Sequence, residues 1–108
     1  MKSKLFLKEN PTLKDFQKYV ADMEEERGFT ETTVLQNSLQ LGEEIGELFK
    51  AIRKTEKMKI DSNSKFTVVD EELADIIMFL CSIANRYNID LETAFRNKEE
   101  RNMIREWK

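Results

Sequence analysis

The sequence contains no histidine. This absence excludes Ser–His–Asp triads, zinc sites built from His and Cys, and phosphohydrolases that hold their metal with His and Asp. Any metal site in the chain must therefore use oxygen ligands, which suit Mg²⁺, Mn²⁺ or Ca²⁺.

Residues that form turns are also scarce, with three Gly and one Pro in the chain. A β-sandwich or β-barrel needs such residues at short, regular intervals, so the composition argues against both. The one cysteine, Cys81, lies in an apolar stretch and has no partner for an intrachain disulfide. We interpret it as a buried core thiol, which is typical of a protein in the reducing cytoplasm.

Long apolar runs and an excess of positive charge are absent as well. No run approaches the length of a membrane span, and residues 1–10 are too charged for a signal peptide, so we expect a cytoplasmic protein that does not enter a membrane. The net charge of −3 argues against a partner that is a nucleic acid polymer. With 108 residues, the chain is predicted to form a single domain over residues 1–108.

The hydrophobic pattern predicts an all-α protein with four helices. The first should begin at the N-cap Thr12 and stop at Gly28, and the second should run from Thr30 to about Lys57. Residues 58–67 are polar and predict a loop. The third helix should run from about Val68 to Tyr87, and Asp90 should cap the fourth. A four-helix-bundle-like fold follows, with the second and third helices as its antiparallel centre.

Acidic residues cluster on the two central helices. The second carries an E-E-x-x-E motif, and the third carries E-x-x-D; their acidic residues are Glu43, Glu44, Glu47, Glu72 and Asp75. Acidic residues three apart share one helix face, where they repel each other unless a cation lies between them. From spacing alone, a solvated acidic face is the leading interpretation and a metal site is the alternative.

A helical wheel places these carboxylates beside the apolar stripes of their helices. The stripes are formed by Val34, Ser38, Leu41, Ile45, Leu48 and Ile52, and by Val69, Leu73, Ile76, Leu80, Ile83 and Tyr87. If the stripes face the protomer core, a metal site would face away from it, towards another helix or subunit. Gly42 and Gly46, one turn apart, further predict close approach of a neighbouring helix, although tolerated weak positions are the alternative.

The segments LGEEIGELFKAIRK and EELADIIMFLCSIANRYNIDLETAFRNKEERN resemble the MazG-type all-α nucleoside triphosphate pyrophosphohydrolases over roughly residues 30–106. The resemblance implies a helical bundle that forms a homodimer or a dimer-of-dimers tetramer. It also implies Mg²⁺-dependent hydrolysis of an NTP or dNTP to the monophosphate and pyrophosphate, with Mn²⁺ able to replace Mg²⁺.

Carried over residue by residue, the resemblance implies a set of site residues. The expected metal ligands are Glu44, Glu47, Glu72 and Asp75, and the expected catalytic residues are Glu43, Glu44 and Glu47. For Glu43, a role in activating the attacking water and simple exposure to solvent both remain open. A carboxylate is the natural proton acceptor in a chain without histidine. Residues expected to bind the substrate are Lys98, Arg101, Asn102 and Arg105, although for each cation a purely surface role is as good an interpretation.

Three aromatic residues could stack on a nucleobase, namely Phe16, Phe29 and Trp107, although packing is the leading interpretation for each. Two alternatives to the NTP pyrophosphohydrolase remain open. One is a phosphoribosyl-ATP pyrophosphohydrolase, and the other is a non-catalytic helical interaction module. The sequence does not decide which base or sugar is preferred, how many metal ions bind, or which carboxylate is the general base.

Overall fold

A computed structural model describes residues 3–58 and 68–105, and within them the chain forms four helices and no strand. The helices are α1 (Leu13–Arg27), α2 (Val34–Thr55), α3 (Val69–Arg86) and α4 (Leu91–Met103). The predicted all-α class is therefore confirmed. None of these helices is both long and apolar enough to cross a membrane.

The predicted ends of α1 are confirmed, because both caps form. The Thr12 backbone N–H donates to the Asp15 carboxylate at 2.8 Å, while the Thr12 hydroxyl accepts from the Asp15 backbone N–H at 3.2 Å. This reciprocal pair satisfies N–H groups that the first helical turn leaves open. At the other end Gly28 has φ 79°, a left-handed conformation that glycine adopts without steric cost.

Helix α2 begins later than the predicted Thr30. Its N-cap is Thr33, whose backbone N–H donates to the Gln36 side chain at 2.9 Å and whose hydroxyl accepts from the Gln36 backbone N–H at 3.1 Å. The segment contains three threonines, Thr30, Thr32 and Thr33, and only Thr33 has a Gln or Glu three residues later, so it starts the helix. The helix ends at Thr55, just before the predicted Lys57. Apart from Met58, the predicted loop over residues 58–67 lies outside the described residues.

The third and fourth helices begin close to the predicted positions. Helix α3 has no side-chain cap at Val68, but its first turn carries Asp70, Glu71 and Glu72, which suit the positive end of the helix dipole. Asp90 caps α4 as predicted, accepting from the Thr93 backbone N–H at 3.0 Å. Because the hydroxyl and backbone N–H of Thr93 both donate to Asp90, the pKa of that carboxyl is lowered.

The helix packing places α3 at the centre. Helix α2 packs along α3, α1 packs on α3, and α4 packs mainly on α1. The most deeply buried apolar residues are few and include Val20, Met23 and Cys81, with Phe16 against them. The expected burial of Cys81 is confirmed, and desolvation raises the pKa of its thiol.

Much of the predicted core stripe is instead exposed within one chain. Leu80 is 44% exposed and Tyr87 60%, while Phe49 beside the α2 stripe is 59% exposed. The residues that α3 buries include Glu72, Ser82 and Ala84. The assignment of the apolar stripe to the protomer core is therefore wrong at these positions, because a helical wheel identifies an apolar face without telling which neighbour covers it.

Candidate functional site

Three of the predicted metal ligands come together between α2 and α3. One carboxylate oxygen from each of Glu44, Glu72 and Asp75 lies within 4.8 Å of the other two. Glu44 comes from α2, while Glu72 and Asp75 lie one turn apart on α3, so two helices supply the group. Glu72 is only 3% exposed. The wheel-based expectation that such a site faces away from the protomer interior is wrong for Glu72, which α2 and α3 enclose.

The electrostatics of the cluster are those of crowded like charges. A side-chain hydrogen bond with Glu72, desolvation, and the negative charges of Glu72, Asp75 and Glu47 raise the pKa of Glu44 to about 7. When no cation is bound, a proton on Glu44 therefore relieves the repulsion among these carboxylates. A divalent cation would relieve it in the same way, and carboxylate oxygens are the ligands that Mg²⁺ and Mn²⁺ prefer. The residues present therefore fit a divalent metal ion.

The two remaining acidic residues of the E-E-x-x-E motif lie at the margin of the cluster. Glu47 is half-buried and close enough to raise the pKa of Glu44, but it is not among the three residues whose oxygens converge. Its Oε1 lies 3.6 Å from Lys50 Nζ. Glu43 is exposed. Any role of Glu43 in the reaction thus remains a prediction.

The glycines of α2 have no close neighbour within the described chain. A Cβ atom added at Gly42 or Gly46 would meet no atom within 4 Å beyond the helix itself. The predicted close approach of another helix is therefore absent inside the described part of the protomer.

The predicted substrate-binding residues lie on α4 or just after it. Lys98, Arg101 and Arg105 are exposed, whereas Asn102 is half-buried. None of them lines the cleft described below, and α4 packs mainly on α1. The four residues are therefore separate from the lining of that cleft, and their role in binding the substrate remains a prediction.

A cleft of about 260 Å³ opens beside the carboxylates, with Asp75 in its wall. Its lining is mostly apolar and includes side chains from α1, the segment before α2, and α3; the apolar members are Val20, Met23, Phe29, Met78 and Phe79. The stacking candidate Phe29 lies here, Phe16 packs on the core, and Trp107 lies outside the described residues.

Sequence reasoning missed the polar residues of this cleft. Asn37 of α2 is only 4% exposed, and Glu24 and Ser82 are also buried. They form one hydrogen-bonded set with Arg86, whose Nη2 lies 2.8 Å from Glu24 Oε2. Asn37 and Ser82 lie beside the apolar stripes of their helices and not within them, and the sequence gives no sign that the two side chains meet.

The carboxylates and the cleft lie next to each other. A carboxylate group that fits a metal ion lies next to an apolar cleft large enough for a nucleobase, and Asp75 belongs to both. A nucleotide could therefore place its phosphates at the carboxylates while its base enters the cleft.

Comparisons with known proteins identify the family of the chain. Residues 29–105 match the MazG nucleotide pyrophosphohydrolase domain. The chain is also similar to the crystal structure of iMazG from Vibrio DAT 722, with 27% sequence identity and a TM-score of 0.60, over 86% of this chain and 99% of that one. No curated protein matches the sequence. The match to the domain covers most of the chain, so the protein belongs to the MazG family of nucleotide pyrophosphohydrolases.

Proposed function

We propose that this enzyme hydrolyses nucleoside triphosphates, NTP or dNTP, to the monophosphate and pyrophosphate with Mg²⁺ held by its carboxylate cluster. The observation that carries the proposal is the convergence of Glu44, Glu72 and Asp75 within 4.8 Å. The raised pKa of Glu44 adds support, since the cluster already needs one positive charge to offset its repulsion. Mn²⁺ should replace Mg²⁺, because it prefers the same oxygen ligands.

Glu47 is the fourth proposed ligand. It lies one turn after Glu44 on α2, and its charge already acts on Glu44. Its present partner is Lys50, whose Nζ lies 3.6 Å from Glu47 Oε1 at the surface of the helix. When bound, the metal would neutralise the triphosphate and polarise the α-phosphorus towards attack.

The proton of the attacking water needs an acceptor, and a carboxylate must supply it in a chain without histidine. Glu43, Glu44 and Glu47 are the proposed candidates. In the metal-free protein, neighbouring carboxylates and burial raise the pKa of Glu44 to about 7, so this carboxyl group can exchange a proton near neutral pH. Glu43 is exposed and could hold the water from outside the cluster.

The cleft beside Asp75 is the proposed place for the nucleoside. Its apolar walls suit the faces of a base, and Phe29 offers an aromatic ring for stacking. This placement leaves the triphosphate at the carboxylates, with the α-phosphate between the nucleoside and the leaving pyrophosphate.

We further propose that the chain acts as a homodimer or a dimer-of-dimers tetramer. Support comes from the exposed apolar face of α2 and α3, which includes Phe49, Ile77, Leu80 and Tyr87. A second copy packed on this face would also bring more helices near Gly42 and Gly46, where there is open space. Lys98, Arg101, Asn102 and Arg105 are the proposed substrate-binding residues, and in an oligomer they could serve the cluster of another protomer.

The proposal is tested by pyrophosphate release from a panel of NTPs and dNTPs, with Mg²⁺, with Mn²⁺ and with a chelator. Wild type should turn over at least one nucleotide only when metal is present. Glu72→Gln should lower the rate by more than about 100-fold, since even groups that only support metal ligands contribute about 10–100-fold. The matched control is Glu71→Gln, because Glu71 is the exposed neighbour of Glu72.

No turnover of any nucleotide with either metal would contradict the proposal. Turnover of phosphoribosyl-ATP alone would identify the enzyme as a phosphoribosyl-ATP pyrophosphohydrolase. Failure to bind or cleave any of these compounds would favour the non-catalytic interaction module.

A further inference from the structure

Four polar side chains from three helices form a hydrogen-bonded chain beside the cleft. Asn37 Nδ2 donates to Ser82 Oγ at 2.8 Å, and Ser82 Oγ donates to Glu24 Oε2 at 2.9 Å. The same carboxylate oxygen accepts from Arg86 Nη2 at 2.8 Å. Asn37, Ser82 and Glu24 are buried, so each bond replaces one to water.

This series of hydrogen bonds determines which way the Asn37 carboxamide faces. The Glu24 carboxylate, paired with Arg86, can only accept hydrogen bonds. Ser82 has one hydroxyl proton, which Glu24 takes, so the Ser82 oxygen must accept from the NH2 group of Asn37. If the carboxamide turned over, two buried acceptor oxygens would face each other, which is costly.

The carbonyl oxygen of Asn37 is therefore left for something else. No hydrogen bond to Oδ1 forms within the described chain, and Asn37 lines the cleft. The cleft is thus lined by a carboxamide of fixed orientation whose acceptor receives no bond from the described residues, and Thr32 and Gln40 are further uncharged polar residues of the lining. Such a site favours a ligand group that donates N–H and disfavours one that presents a carbonyl oxygen, because the second leaves two acceptors in contact.

We propose that Asn37 sets the base preference of this enzyme. Its Oδ1 accepts a hydrogen bond from the exocyclic amino group of cytosine or adenine, and it disfavours uracil, thymine and hypoxanthine, which carry a keto oxygen in that place. Ser82 is a positioning residue that holds the carboxamide in this orientation. The inference rests on the proposed function, since it concerns the base of the nucleotide that the cluster hydrolyses.

The test compares kcat/KM for CTP with UTP and for ATP with ITP, because the two members of each pair differ in the amino-to-keto exchange. Wild type should favour the amino member by about tenfold or more, the value of one well-placed hydrogen bond in a dry site. Asn37→Leu, similar in volume, should bring both ratios to about one. Ser82→Ala should reduce the ratios by freeing the carboxamide, and in an Asn37→Leu background it should change them no further.

The matched control is Ser38→Ala, because Ser38 is the next residue on α2 and is exposed, and its hydroxyl donates to the Val34 carbonyl at 2.8 Å. The kcat/KM ratios of Ser38→Ala, for CTP against UTP and for ATP against ITP, should equal those of wild type. Melting temperatures of all variants separate a change in base preference from a loss of folding. Equal ratios in wild type, or an equal loss of rate by Asn37→Leu on all four nucleotides, would overturn the inference while leaving the hydrolase intact.

A second measurement keeps the inference testable if no nucleotide is turned over, a result that would contradict the proposed function itself. Equilibrium binding of CMP and UMP to wild type and to Asn37→Leu then measures how well the cleft distinguishes the two bases, without any need for hydrolysis. Tighter binding of CMP by wild type, lost in Asn37→Leu, would support the inference. Equal binding of CMP and UMP by wild type, or no binding of either, would overturn it.

Discussion

Glu44 is the residue whose chemistry depends most on its neighbours. Its pKa of about 7 in the metal-free protein means that it carries a proton in mildly acidic solution. A metal ion must displace that proton in order to bind. We therefore expect metal binding to release a proton at about pH 6 and progressively less as the pH rises above the pKa of Glu44.

Calorimetric titration with Mn²⁺ in buffers of different ionisation enthalpy would measure the protons released. Glu44→Gln should bind Mn²⁺ at least about tenfold more weakly, because it loses one ligand, and should release no proton at that position. Proton release that is the same at about pH 6 and about pH 9 would contradict this view of Glu44.

The same pKa predicts how stability depends on pH. Because the pKa of Glu44 is raised from 4.5 to about 7 on folding, the folded state binds more protons than the unfolded state between these values. The free energy of unfolding of the metal-free protein should therefore fall as the pH rises through this window. Urea unfolding in the presence of a chelator should show the fall in wild type and a smaller one in Glu44→Gln. If the free energy of unfolding of Glu44→Gln depended on pH as steeply as that of wild type, Glu44 would not be the group with the raised pKa.

At the scale of the helices, capping decides the boundaries. The Thr12 and Asp15 pair closes the start of α1, and its loss should destabilise the protein by about 1 kcal/mol. Chemical unfolding of Thr12→Ala measures this effect. The control is Thr30→Ala, because Thr30 is exposed and precedes the start of α2. Equal losses in both variants would show that the cap contributes nothing specific.

The sequence predicted the helices well because their signals are local. Thr12, Gly28 and Asp90 act on neighbours within four residues, so their roles could be read directly. The start of α2 was misplaced because three threonines competed, and only the reciprocal pair of Thr33 and Gln36 decided between them.

The candidate site was predicted only in part, for a related reason. The spacing of the acidic residues alone favoured a solvated face, and it was the family resemblance that gave Glu44, Glu47, Glu72 and Asp75 as expected ligands. The structure brings three of these four together, namely Glu44, Glu72 and Asp75. The contact of Asn37 with Ser82 joins residues 45 positions apart, and no local pattern indicates such a pairing. The burial of Glu72 was also missed, because a helical wheel assigns the buried face by its apolar content, whereas here a carboxylate is buried between two helices.

On the scale of the whole molecule, the exposed apolar face of α2 and α3 predicts self-association. Ile77 lies on this face and is 49% exposed, so Ile77→Lys should place a charge inside the interface and weaken association. Sedimentation velocity over a range of concentrations would show a dimer or tetramer for wild type and a smaller species for the variant. Phe6→Lys is the control, since Phe6 is exposed on the N-terminal segment before α1. A wild type that stays monomeric at all concentrations would contradict the prediction.

The central claim is that the carboxylate cluster directs water to the α-phosphate of a nucleoside triphosphate. Phosphorus NMR of the products tests it most directly, with the best substrate from the nucleotide panel and Mg²⁺. Monophosphate and pyrophosphate should form in equal amounts, more than about 100-fold more slowly with Glu72→Gln and not at all in the presence of a chelator. Formation of diphosphate and orthophosphate, or unchanged turnover by Glu72→Gln, would contradict it.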